Sequence, residues 1–143
     1  MIVVAVITLL AAIMIPNVLR ARLNSNEAAV KGNLRAIGNA AESFRGSANP
    51  PLYPLNIAVM VMAVPAYLDS SWLNVNQRQG YTYVYLIGVA GRTTFSVGAR
   101  PVTQNITGVN SYCIDQTGII RRYPPGRNPQ NIGGCPAFGG MPI

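Results

Sequence analysis

The sequence predicts an α+β fold in which a long, kinked N-terminal α-helix packs on a small antiparallel β-sheet of about four strands. Three patterns predict it: an uncharged run over residues 1–17, an amphipathic helical pattern up to residue 46, and period-two alternation from residue 80. We expect two parts. Residues 1–22 form a hydrophobic helical stem, and residues 23–143 contain the amphipathic half of the helix and the globular sheet domain, which we call the head.

The stem starts with MIVVAVITLLAAIMIPN and has no charged side chain before Arg20. As an α-helix, the part before Pro16 rises roughly 22 Å, which is short of a full bilayer crossing. A secretory leader is disfavoured because the run lacks a basic start and a small-residue cleavage site. A buried core helix is disfavoured because the run is apolar on every face and little other chain surrounds it. The remaining interpretation is a helix that lies first in lipid and then in a protein assembly.

An amphipathic pattern follows Pro16, where the missing amide hydrogen predicts a kink or a short unwound segment. Apolar positions at spacings of seven, four, three, four and three predict a helix face that packs on the sheet: Leu23, Val30, Leu34, Ile37, Ala41 and Phe44. Glu27 interrupts this seam, which disfavours a coiled coil. Gly46 and the following prolines end the helix near Arg45.

Two features of this region have alternative interpretations. Gly32 and Gly38 permit either the close approach of a neighbouring helix or tight packing on the chain's own sheet. Residues 55–64 (LNIAVMVMAV) form a short buried helix or a strand, and alanine and methionine favour the helix. Met60 and Met62 are interpreted as core residues rather than as ligands.

Four segments with strand character predict two hairpins of one antiparallel sheet: residues 81–86, 93–99, 111–115 and 119–123. Tyr81, Tyr83 and Tyr85 share a face of the first strand. Such a row can stack on sugars, bases or another subunit, but ordinary cross-strand packing is the favoured interpretation. The minimal sequon at Asn105 to Thr107 is interpreted as a turn.

Cys113, on the third predicted strand, and Cys135, in the Pro- and Gly-rich tail of residues 124–143, are the only cysteines. A bond between them would close a loop that, by chain-entropy arguments, is worth roughly 3 kcal/mol. The bond requires an oxidising compartment, and export of the stem would place the chain in one. Two free thiols are the alternative, and the bond is favoured.

The composition excludes several kinds of catalytic site. The chain has no histidine, so catalytic triads, Cys-His pairs and histidine-metal sites are not available. Its four acids, Glu27, Glu42, Asp69 and Asp115, are widely separated and form no calcium-loop pattern. We therefore predict no enzyme activity, no cofactor and no metal.

The chain carries a net charge of +7, and 50% of its residues are hydrophobic. A basic surface favours nucleic acid, anionic lipid or an acidic neighbour. Only Arg121 and Arg122 are adjacent among the arginines, and this scatter favours charges that pair within an assembly over a nucleic-acid footprint.

The stem contains an ordered motif, Met1 to Ala5, then Ile7, Leu10 to Ile13, and Ile15 to Asn17. This motif closely resembles the hydrophobic N-terminal segment of type IV pilins and of the related type II secretion pseudopilins. The D-x-x-G-x-I-R pattern of Asp115 to Arg121, with the aromatic strand before it, resembles more loosely the C-terminal halves of prepilin-type proteins.

The resemblance implies that the natural mature chain begins upstream of Met1, at a methylated aromatic residue, and has a glutamate that this sequence does not include. Thr8 stands where the family commonly has a glycine, near a segment that unwinds in assembled pili. Thr8 and Pro16 therefore mark the expected site of helix kinking or melting. The family commonly closes its C-terminal loop with a disulfide, here Cys113 to Cys135, so that the tail lines the outer surface of a filament.

The functional expectation is a structural subunit of an extracellular, cell-surface filament of the type IV pilus kind. The resemblance implies a homopolymer, with the inner membrane and the pilus assembly machinery as partners before assembly. The expected filament core comprises Met1, Ile2, Val3, Val4, Val6, Ile7, Leu9, Leu10, Ile13, Met14 and Ile15. The alternatives are a type II secretion pseudopilin, which typically has a calcium site of clustered acids, and a DNA-uptake pilin that binds through Arg121, Arg122 and Arg127.

Overall fold

Three helices precede six strands in the computed structural model, which describes residues 2–73, 76–88, 91–129, 134–136 and 140–143, without the side chains of residues 11–16. The helices are α1 (Ile2–Ser47), α2 (Ile57–Met62) and a 3-10 helix (Ser70–Trp72). The strands are β1 (Gln77–Arg78), β2 (Tyr81–Ile87), β3 (Phe95–Pro101), β4 (Ser111–Asp115), β5 (Arg121–Tyr123) and β6 (Met141–Pro142). The predicted α+β class, with a long N-terminal helix and an antiparallel sheet, is confirmed.

The sheet is a meander in the order β1-β2-β3-β4-β5-β6, and each strand is antiparallel to the next. The prediction of about four strands is wrong because β1 and β6 add an edge strand on each side. Each of these strands has only two residues. A two-residue strand contains no measurable alternation, so its existence depends on the partner strand rather than on its own sequence.

Helix α1 is continuous from Ile2 to Ser47. The backbone of the subunit is therefore not unwound between Thr8 and Pro16, and a kink there, or melting in an assembled filament, stays a prediction. The Thr8 hydroxyl donates within the helix to the carbonyl oxygens of Val4 (3.0 Å) and Ala5 (2.9 Å), which satisfies it without breaking the backbone ladder. The side chain of Pro16, the other residue assigned to the kink, lies outside the described part of the chain.

The hydrophobic core lies between one face of α1 and one face of the sheet. Val30, Leu34, Ile37 and Ala41 are completely buried. The sheet contributes Tyr81, Tyr83, Phe95, Val97, Ala99, Tyr112 and Ile114 to the same cluster. The tyrosine row thus serves mainly as core packing. At the ends of the helix face, Phe44 packs edge-to-face on Tyr67 with ring centroids 5.7 Å apart, whereas Leu23 is partly exposed and lies outside the cluster.

The two glycines of α1 differ in their surroundings. A Cβ atom at Gly38 would lie 3.0 Å from Cδ1 of Ile114, so Gly38 lets the helix approach β4 closely. A Cβ atom at Gly32 would meet nothing within 4 Å, and Gly32 is exposed. Packing on the chain's own sheet therefore explains Gly38, and the approach of a neighbouring helix stays a prediction for Gly32.

Residues 57–62 form α2, so the helical interpretation of this run is correct. The Asn56 side chain caps it by accepting a hydrogen bond from the backbone N–H of Val59 at 3.0 Å. Met60 is completely buried, but Met62 is 71% exposed, so the predicted core role is wrong for Met62.

Cys135 and Pro136 of the tail lie on the sheet face opposite α1. Cys113 alternates along β4 with the core residues Tyr112 and Ile114, and its side chain therefore lies on the outer face. The predicted disulfide from Cys113 to Cys135 is confirmed, with Cα atoms 5.8 Å apart. The Tyr123 hydroxyl donates to the carbonyl oxygen of Pro136 at 2.7 Å and secures the same part of the tail.

Replacement of Cys113 and Cys135 together by serine should lower the free energy of unfolding by about 3 kcal/mol, because the unfolded chain is no longer restricted by the closed loop. Chemical denaturation followed by circular dichroism measures this difference. The reduced wild-type chain is the control and should match the double variant. A double variant as stable as the oxidised wild type would contradict the expectation.

Replacement of Leu34 by alanine should lower the free energy of unfolding by about 2–5 kcal/mol, because it leaves a cavity in the core. Leu19→Ala is the matched control on the same helix, since Leu19 is 57% exposed. In the detergent-solubilised chain, this exposed substitution should change the free energy by less than about 0.5 kcal/mol. Equal losses for the two variants would show that the burial of α1 has been assigned to the wrong face.

Candidate functional site

The stem presents apolar side chains to solvent on all sides of α1. The exposed members are Ile2, Val3, Val4, Val6, Ile7, Leu9, Leu10, Val18 and Leu19, with exposed fractions between 50% and 82%. Successive residues rotate by about 100° around a helix, so such a run leaves no polar face. Met1 and the side chains of Ile13, Met14 and Ile15, which were predicted to join this surface, lie outside the described part. Within the described residues, no helix has both the length and the apolar character needed to cross a membrane.

The exposed surface of the stem is large in energetic terms. Full burial of one such side chain stabilises a protein by about 1.5–3 kcal/mol. For the nine exposed residues, complete covering is therefore worth on the order of 10 kcal/mol per subunit. This value is similar to the total stability of a small domain, which is about 5–15 kcal/mol. Monomeric soluble proteins rarely leave such a surface uncovered, so the stem is the candidate assembly surface.

A polar cluster joins α1 to the loop before β4. On α1 it begins just C-terminal to the exposed residues Arg20 and Arg22. We name it the Glu27 cluster, and it consists of Asn26, Glu27, Thr107, Val109, Asn110 and Tyr112. Oε1 of Glu27 accepts hydrogen bonds from the backbone N–H groups of Val109 (3.0 Å) and Asn110 (3.1 Å). Its Oε2 accepts one from the Tyr112 hydroxyl (2.8 Å). A carboxylate with these donors links the helix to both the loop and the sheet.

The electrostatics of the Glu27 cluster favour the ionised carboxylate. Partial burial raises the pKa of Glu27, but the hydrogen bonds from Asn110, Tyr112 and Val109 lower it by more, so it lies below its ordinary value of 4.5. Burial raises the pKa of Tyr112, and the hydrogen bond to Glu27 raises it further. At neutral pH the pair therefore consists of a charged acceptor and a neutral donor.

The loop of the Glu27 cluster has a defined shape. Asn26 donates from Nδ2 to the carbonyl oxygen of Thr107 at 2.9 Å, and the Tyr81 hydroxyl donates to the carbonyl oxygen of Asn110 at 2.9 Å. At Gly108, a Cβ atom would lie 2.0 Å from the Tyr81 hydroxyl oxygen, so no other residue fits without moving the ring. The loop is thus held from both the helix and the core.

The position of the Glu27 cluster determines the direction of the stem. The first residue of the cluster, Asn26, lies one helical turn after Arg22, and α1 is continuous through both residues. The contacts that hold the cluster therefore also orient the stem that precedes it. From the sequence alone, Glu27 is only an interruption of the apolar seam. The missed signal was a lone carboxylate on a packing face, because a partly buried carboxylate requires hydrogen-bond donors from elsewhere in the fold.

The three arginines predicted as DNA contacts do not all lie on one face of the sheet, and DNA binding stays a prediction. Arg121 is opposite Cys113 and Arg122 is opposite Tyr112, so the two side chains lie on different faces of the sheet. The Nε atom of Arg121 is buried and has no hydrogen-bond partner among the described residues. Arg127 lies beyond the end of β5, in a groove on the outer face.

All four carboxylate side chains have structural contacts. Besides Glu27, Glu42 pairs with Arg45, and its Oε2 atom lies 3.5 Å from the Nη1 atom of Arg45. Asp69 caps the 3-10 helix, because its side chain accepts a hydrogen bond from the backbone N–H of Ser71. Asp115 accepts from the backbone N–H of Cys135 at 3.1 Å. Across the described parts of the chain, no three histidine, cysteine or acidic residues are grouped closely enough to hold a metal ion.

No protein-family model, curated protein or solved structure matches this chain. The likeness of the stem to type IV pilins is therefore still a prediction from its motif. The exposed stem and its attachment through the Glu27 cluster are observations that do not depend on that likeness.

Replacement of Tyr112 by phenylalanine should raise the pKa of Glu27, because it removes the hydroxyl that stabilises the ionised carboxylate. Tyr123→Phe is the matched control, since Tyr123 lies on the opposite sheet face and donates to Pro136 instead. The pKa of Glu27 is measured from its side-chain carboxyl carbon chemical shift, followed by NMR through an acid titration. An unchanged Glu27 pKa in Tyr112→Phe would contradict the role of this hydroxyl.

Replacement of Glu27 by glutamine should reduce the dependence of stability on acid pH. The pKa of Glu27 is lower in the folded chain than its ordinary value of 4.5, so the carboxylate stabilises the fold above about pH 4.5. This contribution is lost as the pH falls through the folded-state pKa. At neutral pH the variant should lose about 1 kcal/mol, because the amide replaces a charged acceptor at a partly exposed site. Denaturation at neutral and acid pH measures both effects. Wild-type and variant free energies of unfolding that fall in parallel as the pH is lowered would contradict the first effect, and equal free energies at neutral pH would contradict the second.

Proposed function

We propose that this chain is a structural subunit of an extracellular filament of the type IV pilus kind, in which identical stems pack together as the core. The observation that carries the proposal is the stem itself, a helix with large apolar side chains exposed on every side. The sequence motif that resembles the pilin N-terminal segment agrees with this assignment. The head lies outside the core and forms the outer layer of the filament.

The distribution of the apolar residues supports a polymer over a dimer. A two-fold partner covers one side of a helix, whereas this stem has large exposed residues around its full circumference, among them Val4, Val6 and Leu9. Several neighbouring stems are required to cover it. Identical contacts that repeat without closing generate a helical filament.

The fixed attachment of stem to head supports a regular filament. The Glu27 cluster and the buried face of α1 hold each head in the same position relative to its stem. Subunits that pack through their stems would then place their heads at a constant offset and angle. A regular outer surface follows from that repetition.

The inner membrane is the proposed location of the stem before the assembly machinery transfers it to the filament. Lipid chains are as apolar as leucine, so transfer to a stem bundle gains little hydrophobic energy. The favourable contributions are close packing between helices and protection from water outside the bilayer. A secretion pseudopilin would use the same stem chemistry, and its filament would stay within the secretion machine rather than extend from the cell.

Replacement of Leu9 by glutamate should abolish filaments while the head stays folded, because a carboxylate among packed apolar stems is left without a partner. Leu9→Ile is the matched control and should assemble, since it keeps the apolar volume. Electron microscopy of purified surface appendages measures assembly, and circular dichroism of the detergent-solubilised chain measures folding. A native species that is a dispersed monomer in the absence of detergent would overturn the proposed function.

A further inference from the structure

A groove of about 450 Å³ lies on the sheet face opposite α1. Its floor includes Thr82 on β2, Arg100 on β3 and Ser111 on β4, which alternate with core residues of the same strands and therefore face outwards. Its walls come from the segment after β3 and from the start of the tail. The remaining lining residues are Gln77, Pro101, Val102, Gln104, Gly126, Arg127 and Asn128. The volume lies within the usual range of small-ligand sites, about 300–1,000 Å³.

The groove carries positive charge without compensation. Arg100 and Arg127 both line it, and all four carboxylate side chains of the chain are held elsewhere in the fold. The residues outside the described part contain no charged side chain, so they add no acid to the groove. An anionic group is the complement that this arrangement favours.

The other lining groups favour a ligand with many hydroxyls. The amides of Gln77 and Gln104, together with the hydroxyls of Thr82 and Ser111, offer both donors and acceptors. Among the described residues that line the groove there is no aromatic ring, so they offer no stacking surface for a nucleobase. Two arginines are also fewer than the row of phosphate contacts that holds duplex DNA.

The backbone fixes both charged positions. Arg100 is paired with Thr82 in the ladder between β2 and β3. Arg127 follows a turn in which its backbone N–H donates to the carbonyl oxygen of Pro124 at 3.3 Å. Because the two residues come from separate elements that pack on one sheet face, the site belongs to the folded head and not to a short peptide segment.

We propose that this groove binds a small anionic sugar, whose acid group lies at Arg100 and Arg127 and whose hydroxyls bond to the surrounding amides and hydroxyls. The acid group is a carboxylate or a phosphate, which present the same charge and acceptor oxygens to guanidinium groups. This site lies entirely in the head, so it does not depend on polymerisation of the stem.

Isothermal titration calorimetry of the detergent-solubilised full chain tests the proposal with glucuronate, glucose 6-phosphate, glucose and inorganic phosphate. We expect at least one of the two acidic sugars to bind, and to bind more tightly than glucose and inorganic phosphate. Arg100→Gln and Arg127→Gln should each weaken that binding about tenfold or more, because each removes a charged hydrogen-bond donor. The matched control is Arg35→Gln, which removes an equal charge from α1 on the other side of the sheet.

Each outcome supports or overturns the proposal. Tighter binding of glucuronate identifies the acid group as a carboxylate, and tighter binding of glucose 6-phosphate identifies it as a phosphate. Equal binding of glucose would show that the arginines do not select an anion, and equal binding of inorganic phosphate would show that the hydroxyls are not recognised. Equal weakening by Arg35→Gln would indicate general charge attraction. Absence of binding by both acidic sugars would also overturn the proposal, whether or not the chain forms filaments.

Discussion

The packing of the second half of α1 on the sheet is the constraint on which the rest of the structure depends. Val30, Leu34 and Ile37 are completely buried, so the rotation of the helix about its axis is determined by the core. Gly38 sets the distance to β4, since a larger side chain would press on Ile114. In the first half of the same helix, the described side chains of residues 2–10 and 17–22 are exposed. One continuous helix thus carries a hydrophobic face that is buried in the subunit and a hydrophobic surface that is exposed.

Much of the fold was predictable because its determinants are periodic or compositional. The buried residues of α1 recur at helical spacing, and β2 and β4 alternate as half-buried strands do. The disulfide was predictable because the chain has two cysteines and a stem that is predicted to be exported. The short strands β1 and β6 were not predictable, because two residues in a ladder are specified by the strand they join. The unbroken helix through residue 16 also departed from the general effect of proline on helices.

The candidate site likewise has parts that the sequence predicts and parts that it does not. The stem was predictable because apolarity on all sides is a property of one continuous segment. The Glu27 cluster was not, because it joins Glu27 to Asn110 across 83 residues and no local pattern reports such a pairing. The groove of Arg100 and Arg127 was missed for the same reason. The separation of Arg121 from Arg122 did have a sequence signal, since adjacent residues of a strand face opposite ways.

The strand order has a consequence for how the head forms. Every strand pairs with its neighbour along the chain, so the sheet closes through short-range contacts and needs no long crossover. Sheets whose strands pair in chain order have a lower contact order than sheets that need long crossovers, and lower contact order favours faster folding. The docking of α1 adds a contact of long range, because the hydrogen bond from Val109 to Glu27 joins residues that are 82 positions apart. The same contact orients the stem, so a newly made subunit acquires this geometry only after the chain has been synthesised as far as β4.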